Sequence, residues 1–397
     1  MESIQVQQKR RHLKPREERA DLSSLSQGII ENIYQAITGT AHIPGHFVRR
    51  ALANGLSKPE LQDAIRCARS AKILPDYLLA ASEKKRERAV HFDELGLKQR
   101  ARELYLESVL WALNAELLIQ DDEKRQLVWA RYRESYRRAA PYFHHPAEEV
   151  AVPYMASNLS SYLRWPAPEE TDYSQKLPVV VLLNSIFSPK EELHYLENSL
   201  LSQGFATLAV DYPGVEKHSA QVPSSFDVKE LANCIYLYLS SRPDLDSSRI
   251  TLYGLSLGGR MAIHMALSYP ERFSSLVCMS TPLDLLNDLD KLAPVFAREH
   301  MVSTFAARTA LYELAMHTQI EEGIPYTQSP LLVIGGGKDR IATADNTRTI
   351  FEQSLSTDKK LILCPAAGHC LYEMMPSLRY EIAQWIKQRL QVFTNCH

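Results

Sequence analysis

Residues 249–266 read RITLYGLSLGGRMAIHMA, and the centre of this stretch, Gly254-Leu255-Ser256-Leu257-Gly258-Gly259, decides how the rest of the chain is read. A short apolar run, Ile250 to Tyr253, stops at a glycine, and a helical pattern of apolar residues begins just beyond Ser256. A serine between such a strand and such a helix occupies a turn so tight that its flanking positions must be glycine, and its hydroxyl is presented at the carboxyl edge of a sheet. The positive end of the following helix points at the same spot, where negative charge developing on a substrate oxygen is stabilised. Ser256 is therefore the candidate nucleophile, and the backbone N–H of Leu257 one candidate oxyanion donor. The competing reading is a Gly-Ser turn in a scaffold without catalysis, and the partners decide between the two.

A serine hydroxyl is a weak nucleophile until a histidine takes its proton and an acid orients that histidine. Both are expected later in the chain, acid first. The run Leu331-Leu-Val-Ile-Gly-Gly-Gly leads at once into Lys338-Asp339-Arg340, and Leu361-Ile-Leu-Cys leads through Pro365-Ala-Ala-Gly to His369. Asp339 and His369 thus fall just past strand ends, on the same edge as Ser256. Asp284, after the preceding strand, and Asp345 compete for the acid's place, and His264 reads as a packed residue of the helix after the serine. The second oxyanion donor is expected after the strand ending at Leu183, in Asn184-Ser-Ile-Phe-Ser-Pro-Lys-Glu-Glu192, and is assigned to Ile186. Glu191, Glu192 and His194 read as solvated residues at the start of the next helix, and Asp211-Tyr-Pro-Gly214 as a turn at the rim of the pocket.

The surrounding pattern gives the scaffold. From about residue 25 to residue 142, apolar positions recur at helical spacing, as in Ala101-Arg-Glu-Leu-Tyr-Leu-Glu-Ser-Val-Leu-Trp-Ala-Leu113 and again from Asp121 to Ala140, until Pro141 and Pro146 stop the helices. Beyond them, Val- and Leu-rich runs alternate with helical segments, the signature of a mostly parallel sheet: 179–183, 205–210, 250–253, 276–279, 331–334 and 361–364, with weaker extended stretches at 149–154 and 161–165. The segment 282–328 has helical periodicity and is too long for an ordinary crossover, so it reads as a cap. The expected division is a flexible segment over 1–24, a helical lid domain over 25–146, and a catalytic domain over 147–397 with a helical insertion at 282–328. Tyr105, Trp111, Trp129, Tyr132 and Tyr136 are weighed as pocket walls against plain interhelical packing.

Composition removes other classes. With 45% hydrophobic and 23% charged residues the chain can bury a real core, and a net charge of -2 gives no field to attract nucleic acid or an acidic membrane. The basic cluster between Lys9 and Arg19 is broken by Glu17 and Glu18 and reads as a solvated end. No apolar run approaches the roughly 20 residues needed to span a bilayer, and the six cysteines form no CxxC pair, so a cytoplasmic protein without structural zinc is expected. No cofactor, metal or nucleic-acid partner is expected.

These motifs resemble the α/β-hydrolase superfamily over roughly residues 148–392. Ala101-Arg-Glu-Leu-Tyr-Leu, Pro153-Tyr154, Lys190-Glu-Glu, Asp211-Tyr-Pro-Gly, Gly254-Leu-Ser-Leu-Gly-Gly and Gly368-His-Cys together resemble the group of 2,6-dihydropseudooxynicotine hydrolase, the fungal polyketide-shortening hydrolases and the FrsA-like esterases. The resemblance implies Ser256, Asp339 and His369 as the triad, Ile186 and Leu257 as oxyanion donors, and a helical domain closing over the site. It also implies cleavage of a carbon–carbon bond beside a carbonyl in a small, partly apolar substrate, with a homodimer left open because dimers are common in the group. A plain carboxylesterase or thioesterase, an acyl-transferring or acetate-eliminating natural-product enzyme, and a non-catalytic protein of this fold stand as alternatives. Asn184-Ser185 and Glu216 depart from the glycines common at those places in the group.

Overall fold

The computed structural model describes residues 43–392 apart from positions 71, 120, 186–187, 214–225, 284, 287–288, 301–303 and 319–326. The N-terminal segment with its basic cluster, Ile186, Glu216 and Asp284 therefore lie outside the described residues.

Among the described residues five helices come first: α1 (Gly45–Ala53), α2 (Lys58–Ala68), α3 (Leu74–Glu94), α4 (Lys98–Glu116) and α5 (Asp122–Ala139). The last begins where expected, because the Asp121 side chain accepts from Lys124 N at 2.7 Å and so caps it. Helix α4 is buried from Leu104 to Glu116 apart from Glu107. It serves two cores at once. Leu104, Tyr105 and Val109 join Tyr132 and Tyr136, while Leu110, Trp111 and Ala115 join Phe47, Leu61 and Leu78. The aromatic residues weighed as pocket walls thus pack between helices.

The remainder is an eight-stranded sheet in the order β1-β2-β4-β3-β5-β6-β7-β8. Its strands are β1 (Ala147–Tyr154), β2 (Ser157–Arg164), β3 (Leu177–Leu183), β4 (Ala206–Val210), β5 (Leu245–Leu255), β6 (Ser275–Met279), β7 (Leu331–Gly336) and β8 (Lys359–Cys364). Pairing is antiparallel for β1 with β2 and β2 with β4 and parallel elsewhere, which is the α/β-hydrolase fold. Both faces are covered: Val179, Val181 and Leu183 enter one core, and Val180 and Leu182 enter the other. Flanking helices are α6 (His194–Leu201), α7 (Val228–Ser240), α8 (Leu257–Ser268), α11 (Ala344–Gln353) and α12 (Met375–Val392), and α9 (Leu289–His300) and α10 (Thr304–His317) occupy the insertion. Parallel register aligns Leu183 with Gly254, Leu255 with Met279, and Gly336 with Cys364, so the loops after β3, β5, β6, β7 and β8 open on one edge.

Candidate active site

Ser256 follows β5 directly and caps α8 with φ 53° and ψ -117°, a backbone conformation that costs a non-glycine residue free energy and that its surroundings enforce. Its N–H donates to Met279 O at 2.7 Å, and its carbonyl accepts from Gly259 N at 2.9 Å. A Cβ at Gly258 would overlap the Leu183 carbonyl, and one at Gly254 would overlap the backbone of Gly258, so the turn closes only with hydrogen at both places. Leu257, at the first position of α8, directs its N–H out of the helix end.

His369 stands after β8, in a short helical turn from His369 to Met374 that is kinked by positive φ at Cys370 and Leu371. Cys370 N donates to Ser280 Oγ at 2.9 Å, which ties that turn to the end of β6. Asp339 lies in the loop after β7. Its Oδ1 accepts from Ile341 N and Ala342 N, both at 2.8 Å, and its Oδ2 lies 2.8 Å from His369 Nδ1. The carboxylate accepts only, so Nδ1 carries the proton and Nε2 is left to face Ser256 Oγ at 2.8 Å. All three side chains are buried. Burial alone presses the His369 imidazole downward, but the Asp339 charge, helped by Cys370, outweighs it and holds the group well above the usual histidine range.

The structure brings Ser256, Asp339 and His369 together and excludes Asp345, which is exposed and pairs with Arg348 at 3.2 Å. His264 is a partly buried residue of α8, as read from sequence.

One expectation is corrected. Glu191, Glu192 and His194 are not solvated helix-end residues but part of a buried junction between helices and sheet. Arg50 of α1 donates to Glu192 at 2.6 and 2.5 Å and to Ser188 Oγ at 2.8 Å, and Asn54 donates to Glu192 at 2.6 Å. Arg133 of α5, stacked on Trp129, donates to Asp211 Oδ2 at 2.7 Å and stands 3.5 Å from Glu191. Lys190 adds bonds to Asp211 through its backbone N and its Nζ, at 2.8 and 2.9 Å, and its Nζ reaches Glu191 at 3.0 Å. Three cations, Arg50, Arg133 and Lys190, thus offset three carboxylates inside the protein, which is how charge is tolerated there. His194, which burial and Arg164 push well down, stays neutral and meets the Tyr136 hydroxyl at 3.1 Å. Acids suit a helix start through its dipole, but these acids sit in a buried junction because arginines arrive from far along the chain.

Arg260, one turn into α8, was also missed. Its guanidinium donates to Pro282 O at 3.1 Å, to Leu283 O, and to Thr318 Oγ1 and O at 3.2 and 2.5 Å, joining the start of the insertion to the residue after α10. A lone arginine directly before the mostly apolar run Met261–Ala266 was its signal. Among the described residues, His144, His145 and Glu170 form a group suited to a metal, His145 Nε2 lying 2.7 Å from Glu170; it stands where the helical region meets β1, apart from Ser256.

Comparison with known proteins agrees with this architecture. Residues 178–323 match the family model described as alpha/beta hydrolase fold. The chain is 26% identical over 326 residues to 2,6-dihydropseudooxynicotine hydrolase of Paenarthrobacter nicotinovorans, covering 78% of this chain and 83% of that protein. It is 22% identical over 287 residues to esterase FrsA of Yersinia pestis (strain Pestoides F), covering 69% of this chain and 66% of that protein. Among solved structures, 2,6-dihydroxy-pseudo-oxynicotine hydrolase aligns with a TM-score of 0.72 at 24% identity over 86% of this chain and 95% of that one. AbyA5 aligns with a TM-score of 0.56 at 16% identity, over 75% and 85%. No helix of the described residues is long and apolar enough to cross a membrane.

Proposed function

We propose that this chain, an α/β-hydrolase-fold protein with hydrolase and esterase relatives, is a serine hydrolase acting on a small, partly apolar carbonyl compound, with Ser256 as nucleophile, His369 as base and Asp339 as its orienting acid. One observation carries the reading: the unbroken line from Ser256 Oγ to His369 Nε2 and from His369 Nδ1 to Asp339, each at 2.8 Å, built on the strained residue of a strand-to-helix turn. His369 takes the hydroxyl proton as Ser256 Oγ bonds to the substrate carbonyl carbon. The oxyanion faces the N–H of Leu257 at the start of α8, with Ile186 assigned as second donor by sequence. Collapse of this intermediate breaks the acyl carbon's bond to carbon or oxygen. The proton on His369 passes to the leaving group, and water then hydrolyses the Ser256 ester to a carboxylic acid.

The scissile bond is assigned as a carbon–carbon bond beside a ketone, with an aromatic ketone or polyketide as the substrate type, from likeness to the 2,6-dihydropseudooxynicotine hydrolase. The likeness to esterase FrsA favours the second reading, an ester bond cleaved by the same three residues. Steady-state turnover of short-chain p-nitrophenyl esters and of aryl 1,3-diketones tests both. Wild-type protein is expected to cleave at least one class, with Ser256→Ala inactive on it. Retention of more than about a hundredth of the wild-type rate by Ser256→Ala would remove the serine from the mechanism.

A further inference from the structure

Helix α1, Gly45–Ala53, is the one described helix of the N-terminal region that bonds to loops on two sides of the Ser256 edge. On one side lies the segment after β3. Its near end, Asn184-Ser185, is held from the core: Tyr212 donates to Asn184 O at 2.6 Å, and Leu183 pairs with Gly254. Its far end, Ser188 to Glu192, is held from two sides: Lys190 bonds Asp211 at the end of β4 through its N and Nζ, and from α1 Arg50 grips Ser188 Oγ and both carboxylate oxygens of Glu192 while Asn54 adds a bond to the same carboxylate. On the other side lies the histidine turn. His46 is buried, with its ring 5.9 Å from that of His369 and edge-on to Tyr372 at 5.3 Å. Arg49 Nε stands 3.6 Å from Glu373, whose carboxylate accepts from Gly368 N at 3.0 Å.

We propose that Arg50 is a positioning residue for the reaction: through Ser188 and Glu192 it fixes the far end of the segment after β3 at a set distance from the histidine turn that the same helix flanks. This rests on the reading of Ser256 as nucleophile. A bidentate, charge-assisted pair between side chains 142 residues apart is suited to the task, because the fork fixes direction as well as separation and burial removes competing water. Arg133 lacks that power. It meets the segment after β3 at Glu191, at 3.5 Å, and Asp211, which it bonds, is also held by Lys190, whereas Arg50 makes three hydrogen bonds to Ser188 and Glu192.

The test uses the full-length protein with Arg50→Met, Arg50→Lys, Glu192→Gln, the exchange Arg50→Glu with Glu192→Arg, and Arg133→Met as contrast. Each is assayed for kcat and KM on a small activated ester, for its fluorophosphonate labelling rate, and for thermal melting. Arg50→Met is expected to lower kcat and the labelling rate by about 10²-fold, the cost of displacing a reacting group by roughly an ångström, while KM changes little. Arg50→Lys should fall between, and the exchanged pair should recover part of the loss. Should Arg50→Met fail to fold, Glu192→Gln removes the charge at nearly constant volume and is expected to show the same fall in kcat. Variants that melt earlier yet keep wild-type kcat and labelling rate would overturn the proposal and leave the pair a structural clasp. If the wild type itself does not label at Ser256, the nucleophile assignment fails instead, and the two failures are told apart.

Discussion

The sheet edge and the helices above it are held by opposite means. At the edge, main chain does the placing: Ser256 N on Met279 O, Asp339 Oδ1 on two backbone N–H groups, Cys370 N on Ser280 Oγ, and glycines where any Cβ would collide. At the junction with the N-terminal helices, charged side chains withdrawn from water do it, Arg50 on Glu192 and Arg133 on Asp211. The insertion follows a third plan, with one arginine of α8 joining its start to the residue after α10. A side chain removed at the edge should leave the fold standing, whereas one removed at the junction leaves a buried charge behind, and Arg50 is the junction residue proposed to carry an effect on chemistry as well.

The largest separation is expected for Ser256→Ala, with a loss in kcat on the order of 10⁶ by analogy with other triads and an unchanged melting curve. A comparable loss of stability would contradict the division drawn here. Asp339→Asn comes next, with about a 10⁴-fold fall because His369 is left in the wrong tautomer. Asp345→Asn, on the exposed start of α11, should match wild type in the same assay. At the junction, Arg133→Met should cost about 3–5 kcal/mol in chemical denaturation, as expected when one member of a buried pair is removed, with the kcat of the folded fraction largely kept. Arg260→Met probes the insertion. Leaving the carbonyls of Pro282, Leu283 and Thr318 without their donor should raise KM for a bulky ester more than for an acetyl ester, and equal effects on both would count against a capping role.

The smallest effect is on pH dependence. Only neutral imidazole accepts the serine proton, and Asp339 raises His369 above the ordinary histidine range, so kcat/KM should rise with pH along a limb lying above about 6.5. In Asp339→Asn the residual activity should show that limb moved to lower pH. Movement the other way would mean that another group controls the titration.

What the chain disclosed before folding follows the same division. The elbow was legible because its requirement is local: a strand, two flanking glycines and a helix start within ten residues. Asp339 and His369 were legible because each comes just past an apolar run, so strand order alone brings them to the edge. All eight strands were found, with β1, β2 and β5 longer than their apolar cores suggested, because hydrogen bonding continues past the buried residues. The ionic junction was not legible. Glu192 beside a helix start has a sufficient local explanation, and nothing in residues 188–192 announces an arginine at position 50.

The most direct test of the central claim is intact-protein and peptide mass spectrometry after reaction with a fluorophosphonate. Trypsin cleaves at Arg249 and Arg260, so Ser256 lies in the single peptide ITLYGLSLGGR. The account predicts one adduct per chain, confined to that peptide, absent in Ser256→Ala and strongly slowed in His369→Ala. An adduct on another serine, or a folded wild-type protein that takes up none, would contradict it.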